Sequence, residues 1–146
     1  MRSKEDNVLE SFFNSPKHWH FEELHKEIGI SKPQLSSWLK KFLKEGMILR
    51  VKPVGKMPYY MYNFDNPNFQ NKKRLFGLKM LNECGLLNYL STLEGVKVVI
   101  LFGSFSRPDW YEHSDIDIFI YGNPDNFEHS KYELEMQRDI QVHLAR

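Results

Sequence analysis

Two aspartates separated by a single residue, Asp115 and Asp117, sit in a run that alternates with isoleucine: Ser114-Asp115-Ile116-Asp117-Ile118-Phe119-Ile120. Side chains two apart on a strand share a face, so the pattern predicts both carboxylates on one side and the isoleucines on the other. Carboxylates held side by side repel and lose hydration, a cost that a cation between them offsets. Oxygen-only donors on a rigid strand suit Mg²⁺, which keeps several waters and also accepts phosphate oxygens. Just upstream, Val96, Val98, Val99, Ile100, Leu101 and Phe102 form a β-branched and aromatic run of strand length that stops at Gly103-Ser104. A strand that ends in Gly-Ser predicts a tight turn there, with a helical turn beginning near Phe105. Free backbone N–H groups and the positive end of a helix dipole at such a junction suit a phosphate. Together the two half-sites predict a pocket for a metal-bound nucleoside triphosphate.

The spacing Gly103-Ser104-Phe105-Ser106-Arg107, a short polar loop, then Ser114-Asp115-Ile116-Asp117 resembles the polymerase-β nucleotidyltransferase superfamily, and within it the minimal, antitoxin-like branch. The resemblance covers about the last third of the chain. It implies that Gly103 and Ser104 hold the triphosphate, with Ser114 of the same motif beside them and Arg107 steadying the phosphates or orienting an aspartate. It also implies that Asp115 and Asp117 are the catalytic metal ligands for Mg²⁺. Pro108 stands where the family usually has glycine, and Ser106 where it prefers alanine. A third acidic residue normally comes from the following strand. Here Arg138-Asp139-Ile140-Gln141-Val142-His143-Leu144 puts Gln141 at that position, with Asp139 one step away on the same face. Glutamine accepts and donates hydrogen bonds but supplies neither an anionic ligand nor a general base. The chain ends directly after this strand, where relatives continue into a further helix. The expectation is therefore a shortened version, or a site completed by another chain.

These motifs need a scaffold, and 146 residues allow one medium domain or two small ones. Abundant aromatics and ordinary charge predict a globular chain. No apolar run approaches a membrane span, and Met1-Arg2-Ser3-Lys4-Glu5-Asp6 does not read as a signal peptide. Cys84 is the sole cysteine, which excludes an internal disulfide and points to a reducing cytoplasm. Residues 1–64 carry eleven Lys/Arg against seven Asp/Glu, whereas residues 96–146 carry five against nine. A basic front and an acidic back suggest different partners for each.

The front half reads as helices followed by a hairpin. Val8, Leu9, Phe12 and Phe13 have helical spacing between Lys4 and Phe13, and Asn14-Ser15-Pro16 ends that run. His18-Trp19-His20-Phe21 reads as a short strand and Glu22 to Ile28 as a short helix stopped by Gly29. Ser31-Lys32-Pro33-Gln34 reads as a capping box opening a helix from Pro33 to Glu45, with Leu35, Trp38, Leu39, Phe42 and Leu43 as its apolar stripe. Two strands, Met47 to Lys52 and Tyr59 to Asn63, follow. This order resembles a winged helix-turn-helix. Such a module would place the helix from Pro33 in the major groove of double-stranded DNA, with Gln34, Ser36 and Ser37 near base edges and Lys40, Lys41 and Lys44 on phosphates. The alternative is a solvated face on a protein-docking module.

From Asn66-Pro67 the chain predicts a mostly helical segment to about Leu93, interrupted at Gly77 or Gly85. Lys72, Lys73 and Arg74 at its start read as solvated. A last helix is expected from about Asn126 to Gln137. His18, His20 and His25 do not read as a zinc cluster, Trp19 and Trp38 read as core aromatics, Trp110 as packed in its loop, and Cys84 as a small buried hydrophobe.

The resulting expectation is an α+β chain: a winged helix-turn-helix over 1–64, a helical linker over 65–94 and a minimal nucleotidyltransferase fold over 95–146. Its expected activity is Mg²⁺-dependent nucleotidyl transfer from a triphosphate to a protein or small-molecule hydroxyl; the resemblance implies a partner toxin as one such acceptor. The competing expectation is a DNA-binding regulator or antitoxin whose weakened domain serves as a nucleotide sensor or homodimerisation platform.

Overall fold

The apolar spacing in the sequence is realised as six α-helices and five strands in the computed structural model, which describes residues 2–124 and 127–145. The chain divides into two units, Met1–Lys73 and Arg74–Arg146. No helix among the described residues is long and apolar enough to cross a membrane.

In the first unit, α1 (Lys4–Asn14), α2 (Phe21–Ile28) and α3 (Lys32–Lys44) precede the antiparallel hairpin of β1 (Ile48–Val51) and β2 (Tyr59–Tyr62). Ser3 and Ser31 cap α1 and α3 by accepting from the N–H groups of Asp6 and Gln34. Gly29 ends α2 in the left-handed conformation, donating its N–H to the His25 carbonyl. The expected strand at His18–Phe21 reduces to one bridge, Trp19 with Tyr60, because Phe21 already starts α2. Val8, Leu9, Phe12, Phe13, Leu24, Leu35, Leu39 and Phe42 are all buried, whereas Trp38 is only half-buried and stacks on Phe42.

α4 (Pro67–Glu83) begins in the first unit and ends in the second, and Phe69 packs against Phe13 and Tyr62. Lys72 and Lys73 are not simply solvated. Lys72 pairs with Glu5 on α1, and Lys73 is fully buried. Burial works to raise the Glu5 carboxyl, but the bonds and charge of Lys72 and Lys41 outweigh it and hold Glu5 below the ordinary carboxylate range.

In the second unit the helical segment breaks at Gly85, not Gly77. Gly85 has φ +90°, and α5 (Leu86–Thr92) starts beyond it. Cys84, next to this break, is half-buried, and burial pushes its thiol up. The sheet has order β3 (Val96–Phe102), β4 (Ile116–Gly122), β5 (Ile140–Ala145). β3 pairs antiparallel to β4, and β5 pairs parallel to it after α6 (Ser130–Met136). The last helix thus starts at Ser130, later than expected; Asn126 lies outside the described residues.

Ile116, Ile118 and Ile120 are buried to 2 % exposure or less, each worth about 1.5–3 kcal/mol. Gly77 stays inside α4 for a packing reason. A Cβ there would lie 2.9 Å from Trp110 Nε1 and 3.4 Å from the Phe105 ring. Gly77→Ala gains about 1 kcal/mol of helix propensity but overpacks this contact by about 1–3 kcal/mol. Chemical denaturation of the full chain should show net destabilisation; a more stable variant would show that the aromatic pair yields freely.

Candidate functional site

The Gly-Ser junction is a single 3₁₀ turn over Gly103–Ser106. It begins two residues earlier than expected and is too short for a helix dipole to accumulate. What anions can meet here is therefore local backbone N–H, not a helix end. Gly103 adopts φ +71°, and Ser106 Oγ closes the turn by donating to the Gly103 carbonyl at 2.8 Å.

Asp117 completes the arrangement. It pairs with Phe102 in the β3–β4 register, and a Cβ on Gly103 would lie 2.3 Å from its Oδ2. The carboxylate thus lies directly against the glycine backbone. Asp117 is half-buried, while Asp115 is exposed and precedes β4, which starts only at Ile116. The isoleucines do take the opposite, buried face.

β5 brings the third position alongside. Gln141 is the registered neighbour of Asp117, so both side chains share a face. Asp139 lies just before the strand, exposed, and its carbonyl accepts from the Ile116 N–H at 2.8 Å. The strand therefore pairs in the register that puts Gln141, two residues beyond Asp139, opposite Asp117.

The remaining motif residues serve the loop between the turn and β4. Arg107 is largely exposed and pairs with Asp109 at 3.2 Å. Ser114 Oγ accepts from the Tyr111 N–H at 2.7 Å, and His113 is exposed. Trp110 is fully buried, stacked on Phe105 at 5.2 Å and Phe76 at 6.0 Å.

One residue escaped the sequence reading. Arg138 is only 6 % exposed and donates from Nη1 to the carbonyls of Tyr111 (2.6 Å) and Ser114 (3.1 Å). Its guanidinium lies over Phe105 (4.8 Å) and Trp110 (5.4 Å). A lone arginine before a strand carries no local pattern; only the fold gathers its partners.

Residues 83–146 match the family model described as a nucleotidyltransferase domain. That match supports a nucleotidyltransferase superfamily member. The match runs from the end of α4 through β5 and so includes the turn, the aspartates and Gln141. No curated protein and no solved structure matches the chain.

A metal at this turn would meet oxygen donors only, from Asp115 and Asp117. Among the described residues no three His, Cys, Asp or Glu side chains form a metal-binding group. Two carboxylates fit Mg²⁺ that arrives with a nucleotide and keeps its waters, not an all-protein cage.

In the first unit, Gln34, Ser37, Lys40, Lys41 and Lys44 are exposed on α3, and Ser36 is half-buried. Lys41 is engaged, 3.3 Å from Glu5 and 5.2 Å from the Trp38 ring. His18 stacks flat on Tyr59 at 4.0 Å, and His20 Nδ1 lies 3.1 Å from the Pro58 carbonyl.

Gly103→Ala tests the central contact. A left-handed alanine costs about 1–2 kcal/mol, and its Cβ would also displace the Asp117 carboxylate. The variant should melt earlier than Ser106→Ala, which loses one exposed hydrogen bond. Equal melting would show that Asp117 does not bear on Gly103.

Proposed function

We propose that this chain binds a nucleoside triphosphate with Mg²⁺ and transfers its nucleotidyl group to a hydroxyl of a protein or small molecule. The observation that carries this reading is the contact of the Asp117 carboxylate with the Gly103 turn, inside a segment matching the nucleotidyltransferase domain. In this reading the backbone of Gly103 and Ser104 holds the phosphates, and Arg107 and Ser114 border them. Asp115 and Asp117 hold the metal, which when bound neutralises phosphate charge. The acceptor oxygen attacks the α-phosphorus, the bond to the β-phosphate oxygen breaks and pyrophosphate leaves. The acceptor's proton passes to water, because the Gln141 amide accepts hydrogen bonds but is too weakly basic to take a proton.

Gln141 favours a second reading, a catalytically weakened regulator or antitoxin that uses the domain to sense nucleotide or to dimerise. Its register beside Asp117 leaves an amide where an anionic ligand would help activate the acceptor. Calorimetry separates the readings from an inert fold. ATP binding should depend on Mg²⁺ and vanish in Asp115→Asn plus Asp117→Asn. Labelled-nucleotide transfer to candidate acceptors, such as a partner toxin encoded beside this chain, should be slow in the wild type and faster in Gln141→Asp. Asp139→Asn should leave it unchanged. Nucleotide binding that survives the double variant removes the proposed site.

The first unit's order of helices and hairpin supports a winged helix-turn-helix that binds double-stranded DNA through α3. Lys40 and Lys44 are the phosphate contacts that this reading favours, since Lys41 is tied to Glu5. Gln34 and Ser37 would face base edges. Replacing Lys40 and Lys44 with alanine should lower the salt slope of DNA binding by about two phosphate contacts, and Lys41→Ala should lower it less. A wild-type chain with no salt-dependent affinity for its own promoter would make the module a protein-docking one.

A further inference from the structure

We infer that Arg138 is a positioning residue that sets the place of Asp115 and thereby the metal affinity of the site. The inference rests on the nucleotide–Mg²⁺ reading proposed above. Arg138 ties the loop before Asp115 to the turn after Gly103. Its Nη1 donates to the carbonyl of Ser114, the residue before Asp115, and to that of Tyr111, three residues further back. Its guanidinium lies over the rings of Phe105, the residue after Ser104, and Trp110. Its own backbone leads through Asp139, whose carbonyl holds Ile116, into the strand bearing Gln141.

Asp115 needs such help. It lies outside β4 and is exposed, so the sheet ladder that fixes Asp117 does not fix it. What determines its backbone is the loop before it, and that loop folds around a buried cation. A charge at 6 % exposure is costly unless its donors are used, and here two carbonyls and two aromatic faces receive it. Only guanidinium offers a planar fork and a stacking face together, so lysine cannot reproduce the set.

The test compares the full chain with Arg138→Lys and Arg138→Met, using ATP and Mg²⁺ as probes. In folded protein, Arg138→Met should raise the Mg²⁺ concentration needed for ATP binding on the order of tenfold or more, as loss of a ligand-orienting partner does. Arg138→Lys should fall between it and wild type, and ATP affinity measured without metal should not change. In an Asp115→Asn background Arg138→Met should add nothing. Hydrogen exchange supplies a readout independent of nucleotide: the amides of residues 110–116 should exchange faster in either variant, with β3 unaltered. If Arg138→Met does not fold, Arg138→Lys carries the comparison alone. A folded variant with a wild-type Mg²⁺ requirement and wild-type loop exchange overturns the inference. If wild type shows no Mg²⁺-dependent ATP binding, the proposed function falls, and loop exchange then decides whether Arg138 positions Asp115.

Discussion

Asp117 sits against the backbone of Gly103, and the second unit is arranged so that nothing comes between them. The contact demands a residue without Cβ at 103, a backbone with φ +71°, and a strand register that pairs Phe102 with Asp117. Shifting β4 by one residue would present Ile116 or Ile118 to the turn and expose the isoleucine face to water. Burial of those isoleucines thus enforces the position of the carboxylate. Packing on one face of the sheet specifies chemistry on the other.

The same register decides what the site lacks. Because β5 runs parallel to β4, its residues meet β4 row by row, and the row of Asp117 receives Gln141. An amide beside a carboxylate avoids the repulsion that a further aspartate would add in the absence of a cation. It also removes the anionic group that would help complete a two-metal arrangement. In the proposed reading, stability of the empty sheet and power of a loaded site therefore pull in opposite directions at position 141.

Much of this was legible in the sequence. Period-two alternation marked β4, the apolar run marked β3, and serine, proline and glycine punctuation marked α2 and α3 to within about a residue or two. What failed did so where tertiary contact overrides local pattern. Gly77 looks like a helix breaker but stays helical because Trp110 and Phe105 occupy the space its side chain would need. Lys73 looks like part of a solvated basic run yet is buried. The turn at Gly103 promised a helix end and delivered one 3₁₀ turn. Arg138 had no signal at all, since its partners lie 24 and 27 residues away.

The sheet also has a surface to manage. β3 is an edge strand, and Val98, Ile100 and Phe102 on its aspartate-side face are 47, 49 and 37 % exposed. A long, largely apolar edge strand is the pattern that recruits strands from other molecules. Two devices oppose that here: Lys97 places a charge within the strand, and the register shifts between Val96 and Val98. Irregularity at the start of β3 thus works as colloidal protection, since a bent, charged edge is a poor template for a strand from another chain.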